Sequence, residues 1–577
     1  MRGVATGCTP DVVVAAPAEP RCNPFVAVPG RDYDRREVPE SEFDDAESRV
    51  LGRFFTNLDR PVFALRNLPE VVKGALFSRY SRTEKSLRRV LLEEFINEPD
   101  SGFELLTGAR IGDDDMVAVR RAEEFYERVL VGYGDDSVAE LAGAHVAVER
   151  TSTLAAKALE DSRIGLSPLE KSTRYVRFDR PDKEGRYLYH RGPEMAHPDY
   201  EAAADALFET YSQLVEPATQ AIRERYPLEP DETERAWKAA TRAKALDLLR
   251  GLLPAGTLTN LGLFGNGRAF EYLITKMAAH ELPECKNLAV DLHRELSLVI
   301  PSFVKRALDD RYGLPAAERI ERIRSAVGGM AVRVPSTPTS AAAGRARGPS
   351  VTMIHHDPDA ERKVVAAALF PYSNQGLGQQ DGDPARVLES LLGDRSNRRQ
   401  RVARALEHAE YTFEIVANFA AYRDLHRHRM LTQDRQHLGT DLGYDLPPGL
   451  VDLEMDGRFR AAVETAAEAH HRLEAALGPA LAQYVVPLAF RVRWYFKVNL
   501  REVIHLCELR TTPQGHPDYR RVAQEMFRRV SEVHPRLARY AKFVDLGPGD
   551  ELERRQSERR IDAKLSALNT AEVDHRA

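Results

Sequence analysis

Two intervals of equal length constrain this chain more than any other feature. Leu253-Pro254 precedes Asn266-Gly-Arg268 by twelve residues, Pro to Asn, and Val486-Pro487 precedes Asn499-Leu-Arg501 by the same twelve. Each interval holds a strand-like stretch, and a helical stretch follows each. In the second, Phe490, Val492, Trp494, Phe496 and Val498 alternate with Arg491, Arg493, Tyr495 and Lys497. Period-two alternation places the first set on one face of a strand and the basic set on the other. Asn499 is then a natural N-cap for a helix carrying Val503, Leu506, Cys507 and Arg510. Further matches keep the same order. Gly74-Ala-Leu-Phe-Ser-Arg-Tyr-Ser81 corresponds to Ala367-Ala-Leu-Phe-Pro-Tyr-Ser373. Ser137-Val-Ala-Glu140, followed by alternating Ala144, Val146 and Val148, corresponds to Leu406-Glu-His408 followed by Tyr411, Phe413 and Ile415. Both read as a helix end running into a half-buried strand. Four matches in one order imply a tandem duplication of one α/β (α+β) domain.

The breaks in composition divide the chain accordingly. Residues 1–45, rich in Pro, Ala and acidic residues, are expected to form a mobile arm. Residues 46–333 make a first, diverged domain, 334–350 a Pro/Ser/Ala/Gly linker, 351–548 a second domain, and 549–577 a charged, solvated helix or tail. The net charge of −6 over 577 residues argues against a general nucleic-acid binder. The four cysteines are scattered and none forms a C-x-x-C pair, which disfavours a disulfide framework or a zinc site. Val12–Ala16 is too short for a signal-peptide core, and no apolar run approaches the ~20 residues of a membrane span. These features predict a cytoplasmic protein.

Two clusters carry chemistry. Arg427-His428-Arg429 places three cationic or titratable side chains in sequence, suited to a phosphate or pyrophosphate because guanidinium presents fixed forks to oxyanions. Ser167-Pro-Leu-Glu-Lys-Ser172-Thr-Arg174-Tyr175 combines hydroxyls, a carboxylate and an arginine in what reads as one short loop, suited to a nucleoside monophosphate. Arg493 and Arg510 form a third basic group. In isolation a basic turn, a polar surface turn or a charged strand edge would explain each of them. His355-His356, His470-His471 and the H-x-H of His426 and His428 lack supporting metal-ligand spacing, so no metal is expected. Gly376-Leu-Gly378 lacks the strand–turn–helix setting of a phosphate cradle.

Together the clusters resemble the flavin-dependent thymidylate synthases, whose signature is R-H-R-x-x-S-x-x-x-x-S-x-R-Y. The second copy is similar to its front half, Arg427-His428-Arg429 and then Thr432, with the back half eroded to His437, Gly439 and Thr440. The first copy is similar to its back half, Ser167, Ser172 and Arg174-Tyr175, with the front half eroded to Asp161-Ser162-Arg163. The resemblance covers most of 351–545 and, more weakly, about 70–290.

It implies a mixed sheet flanked by helices, assembled in the family as a homotetramer with sites between subunits. It also implies reductive C5 methylation of dUMP, with methylenetetrahydrofolate for carbon, FAD for hydride and NADPH to reduce the flavin. By position, Arg427, His428, Arg429, His408 and Asn499 would hold FAD, and Glu170, Ser172, Arg174, Arg493 and Arg510 would hold dUMP. Arg510, Arg493 and Ser172 would be the catalytic residues, with Ser172 a ligand and not a nucleophile.

The chain departs from the pattern where the family's Gln, three residues before R-H-R, is Asp424 in one copy and Ala158 in the other. The first copy also has Leu141 for His408 and Asn260 for Arg493. Because the losses fall on opposite halves, the expectation is complementation. The 167–175 segment of copy one would face Arg493 and Arg510 of copy two in one composite site, the mirror site would be lost, and the chain would pair into a homodimer that mimics the family tetramer. Methylation of another pyrimidine nucleotide, and a degenerate non-catalytic flavin- or nucleotide-binding protein, remain as alternatives.

Overall fold

The computed structural model describes residues 42–81, 83–97, 140–162, 164–332, 349–380, 382–549 and 551–574. The expected arm and linker, and Ser137 to Ala139, lie largely or wholly outside these residues. Residues up to Leu68 form a compact unit of their own. In it a capping box between Asp44 and Glu47 starts the helix Asp45–Leu51, and Phe55 bridges Leu65.

The second unit, from Pro69 onward, holds both copies. Copy one contains strand β1 (Gly143–Ser152), helix α1 (Thr153–Glu160), β2 (Leu166–Glu170), the long helix α2 (Pro198–Arg225), α3 (Glu234–Leu249), β3 (Leu258–Asn266), α4 (Gly267–Ala278) and α5 (Gly313–Met330). Copy two contains β4 (Ser350–His356), β5 (Glu410–Asn418), α6 (Phe419–Leu425), β6 (Thr432–Arg435), α7 (Asp456–Leu477), β7 (Arg491–Asn499), α8 (Leu500–Arg510) and α9 (Pro517–Val533), and α10 (Arg555–Asp574) follows. The sheets run β1-β3-β2 and β4-β5-β7-β6. Every described strand pair is antiparallel, so the mixed sheet implied by the resemblance is mixed only with helices.

The repeat holds to the level of single hydrogen bonds. The Asn266 and Asn499 side chains each accept the N–H three residues on, from Ala269 and Glu502, which satisfies one orphan donor of the helix that follows. Ser152 and Asn418 do the same for α1 and α6. β7 buries Val492, Trp494, Phe496 and Val498 and turns its basic residues outward, as the alternation predicted.

The copies meet about a pseudo-dyad at Pro254 and Pro487, which bridge each other. Ala255 N–H donates to Val486 C=O and Leu488 N–H to Leu253 C=O, both at 2.9 Å, and equivalent positions carry the two bonds. The cores join there, with Leu253, Ala255, Val486 and Leu488 all buried.

Two expectations change. The 167–175 segment is not a single loop: Leu166–Glu170 is an edge strand on β3, with Ser167 opposite Phe264 and Glu170 opposite Leu261. Pro168 is tolerated there because an edge strand needs no N–H on its open side. The charged tail is a helix, but it is not solvated all round: α10 and the residues before it dock on α3 and the loop that precedes it through ion pairs.

Candidate active site

The pseudo-dyad brings the surviving half-motifs together. α6 ends just before Arg427-His428-Arg429, and β2 lies opposite with Ser167 and Glu170. Arg429 Nη1 donates to Ser167 Oγ at 3.4 Å, and Arg427 Nη2 to Glu170 Oε2 at 3.3 Å. A cavity of about 480 Å³ opens between them, walled by Gly165, Ser167 and Phe264 from copy one and by Arg427, His428 and Arg510 from copy two. A second chamber of about 270 Å³ shares Arg401, Met430, Glu502 and His505 with the first and adds Arg398, Arg501 and Asn499.

Glu170 is fully buried and both its oxygens are engaged, Oε1 by Arg423 at 2.7 Å and Oε2 by Lys157 at 2.9 Å as well as by Arg427. Burial alone would raise its carboxyl, but Arg423, Lys157 and Arg427 outweigh that and hold it below the usual carboxylate range. Its place in the structure is therefore a node that ties copy one to the R-H-R turn.

His428 carries a fixed tautomer. Arg510 Nε can only donate, and it reaches His428 Nε2 at 3.0 Å. The ring proton therefore sits on Nδ1 and is donated to Glu502 Oε1 at 2.8 Å. Burial, with the Arg510 charge beside it, keeps the imidazole neutral far below its ordinary pKa. His428, Glu502 and His505 present ligand atoms within 4.8 Å of one another. A cation on Nδ1 would move the ring proton to Nε2, against the Arg510 donor, so the group suits a hydrogen-bond relay better than a metal.

Arg174 lies deeper and is spent on a carboxylate. Its Nε and Nη2 grip Asp247 of α3 at 2.8 and 2.6 Å. Asp424 is the centre of charge. Burial would raise its carboxyl, yet Arg250, Arg427, Arg510 and Arg174 together hold it far below the carboxylate range. Arg250 Nη1 donates to it at 3.1 Å, and 19% of the Asp424 side chain stays open. Arg250 keeps a second, buried Nη2 without a hydrogen-bond partner. Arginine outnumbers carboxylate here, which is the signature of a site awaiting an anion.

The other predicted residues fall elsewhere. Ser172 Oγ accepts from Arg174 N–H at 3.2 Å and shapes the turn. Asn499 caps α8 while facing the second chamber. His408 is exposed on a 3₁₀ turn, although its neighbour Glu407 lines that chamber. Arg493 lies on the outer face of β7, paired with Glu414 of β5. A strand's alternation says which residues share a face, not what that face meets.

Reading motif by motif missed Arg250, Asp247 and Glu502. Arg250 had a signal: it stands four residues before Pro254, where the other copy has Gln483 before Pro487.

The mirror position holds a larger cavity, about 800 Å³, lined by the eroded halves. Asp161 stands for Arg427, Ala158 for Asp424 and Gln483 for Arg250, and His437 Nε2 meets Glu281 at 2.7 Å. The arginine cage is missing from it.

The chain is similar to several known proteins. The model of the family described as thymidylate synthase complementing protein matches residues 91–302 and again 352–536. A UPF0159 protein of Chlamydia muridarum is 44% identical over 540 residues, covering 90% of this chain and 99% of its own length. A flavin-dependent thymidylate synthase of Geobacter sulfurreducens is 31% identical over 215 residues, 34% of this chain and 87% of its own. A solved structure of the UMP/dUMP methylase PolB from Streptomyces cacaoi, bound with 5-Br dUMP, aligns over 34% of this chain and 96% of its own at 20% identity and a TM-score of 0.30. With a match in each copy, the chain belongs to the thymidylate synthase complementing protein family.

Proposed function

We propose that the composite cavity binds FAD and dUMP side by side and carries out reductive methylation of dUMP at C5, with methylenetetrahydrofolate as carbon donor and NADPH as reductant, in the cytoplasm. One observation carries this reading: Arg427, His428 and Arg429 of copy two and Ser167 of copy one line one cavity, with Arg429 against Ser167 and Arg427 against the buried Glu170. Chance decay would not leave complementary halves face to face. The donor set fits a dinucleotide. Arg427, Arg429, Arg398 and Arg401 line two chambers that share a wall, and guanidinium is suited to a pyrophosphate. The first chamber, about 480 Å³, is within the range of cofactor pockets, and the second extends it.

FAD, when bound, would supply hydride chemistry that side chains cannot. The chain's own part is orientation and field. Arg510 is held by His428 and lies 5.6 Å from the Tyr519 ring, so its charge is aimed and not free to wander. Such a donor stabilises negative charge developing on a pyrimidine ring. Asp424 motivates a second reading, methylation of another pyrimidine nucleotide, because a carboxylate can only accept where an amide could also donate. The outer sheet face of copy one exposes Leu169 and Phe264 side by side. We assign it to a second copy of the chain, in a homodimer that mimics a tetramer.

The test is the absorbance spectrum of the purified protein with FAD, before and after dUMP. Flavin bands that shift on adding dUMP are expected. Arg429→Ala should weaken FAD binding tenfold or more, and Arg174→Ala should spare FAD and weaken dUMP to a similar degree. A protein that takes up no FAD would leave a degenerate, non-catalytic role.

A further inference from the structure

The segment after the second family match reaches back to the site. Arg554 stacks on Tyr175 of the substrate turn, its guanidinium carbon 4.1 Å from the ring centroid. Its side chain is 13% exposed, and Glu558 lies at 3.5 Å as its ion-pair partner among the described residues. The Nε–H is buried without a hydrogen-bond partner. Arg174 is close enough for its charge to disfavour the Arg554 cation. Arg174 is held by Asp247 and Arg554 by Glu558, but the buried Nε–H of Arg554 costs free energy unless a further acceptor meets it.

The segment that carries Arg554 is attached by charges. Glu551 accepts from Tyr226 at 3.2 Å, Glu553 from Lys244 at 2.7 Å, and Arg555 donates to Glu229 at 2.5 Å. Among the described residues from 551 onward, Leu552 is the only buried hydrophobic side chain. These partly buried ion pairs fix the orientation of the segment.

We propose that residues 551–562 form a strap whose Arg554 is a further substrate-binding residue, completing with Arg174 a subsite for the monophosphate of the nucleotide. This rests on the nucleotide reading above, but its ligand chemistry, a phosphate dianion, can be tested apart from the base. The strap has no equivalent in either family match, which end at residues 302 and 536.

The test is calorimetric titration of the full-length protein with inorganic phosphate. The wild type should bind it, Arg554→Gln should bind it about tenfold more weakly, and Arg554→Lys should recover most of the loss. Arg560→Gln, on an exposed position of the same helix, should change nothing. FAD uptake and melting temperature monitor folding in each variant. A wild type that binds no phosphate, or an Arg554→Gln protein that binds it as well as the wild type, overturns the proposal. Titrations with dUMP and with deoxyuridine separate the two readings. If phosphate binding depends on Arg554 but neither nucleotide compound binds, the strap stands and the thymidylate reading fails. If both readings hold, Arg554→Gln weakens dUMP and spares deoxyuridine.

Discussion

Asp424 is the residue on which the site turns. It replaces an amide position with a charge, and the surrounding arginines make that charge permanent at any physiological pH. Of its neighbours Arg250 bonds it directly and keeps an unpartnered Nη2, while Arg174 and Arg427 are drawn to Asp247 and Glu170, so an incoming anion meets donors already gathered. Asp424→Asn keeps the shape and removes the charge. Breaking a largely buried ion pair from one side typically costs about 3 kcal/mol. We expect a urea midpoint lowered at unchanged slope, together with phosphate binding as tight as wild type or tighter, because the competing anion is gone. A loss of both stability and phosphate affinity would mean that Asp424 positions the arginines more than it competes with ligand. Sequence reading found this position only as a departure from a pattern. It could not supply the cage, because Arg174, Arg250, Arg427 and Arg510 come from both copies and are adjacent only after the copies meet.

The elements that were most legible are those with a strict period or a cap. β7, α8 and the asparagine that joins them were readable because alternation and an N-cap each have one local cause. The strand nature of Leu166–Glu170 was hidden by Pro168, and the docking of α10 was hidden because a charge run looks the same whether solvated or paired. Arg493 was placed on the correct face of its strand, yet that face carries Glu414 and not the cavity. The seam between the copies depends on close backbone approach, which leaves no hydropathy signal. A Cβ added at Gly256 would sit 2.6 Å from the Tyr200 hydroxyl and 2.9 Å from the Tyr484 carbonyl oxygen, whereas one at Gly262 would meet nothing within 4 Å. Gly256→Ala should therefore cost about 1–3 kcal/mol through overpacking, and Gly262→Ala should be close to neutral. Equilibrium denaturation of the two variants compares the seam directly with an open strand position. Equal effects would mean that the contact across the pseudo-dyad is dispensable.

At the scale of the whole molecule, one site gathers arginines around Asp424 while its mirror carries Asp161, Ala158 and Gln483 at the matching positions, and the junction is crowded with titratable groups. His428 is buried at the composite cavity, His516 is buried beside the Asp247 carbonyl, and His280 is half-buried at the mirror cavity. Burial lowers each of them, His428 well below its ordinary value and His516 and His280 to about 4. The unfolded chain protonates these histidines near pH 6.5, and the folded chain resists until far lower. Between those limits the unfolded state binds more protons, so stability falls as pH falls, by up to about 1.4 kcal/mol per pH unit for each histidine. The depressed carboxyls of Asp424, Glu160 and Glu170 act later, because their contribution is intact until pH drops below about 4.3. The melting temperature should thus be flat from pH 8 to 7, decline from about pH 6.5, and steepen below about 4.3. His280→Asn, which alters the mirror cavity and spares the arginine cage, should flatten the upper part of that decline without changing phosphate binding. A profile that stays level down to pH 5 would show that these imidazoles take up protons in the folded chain, and the fixed tautomer of His428 would fall with it.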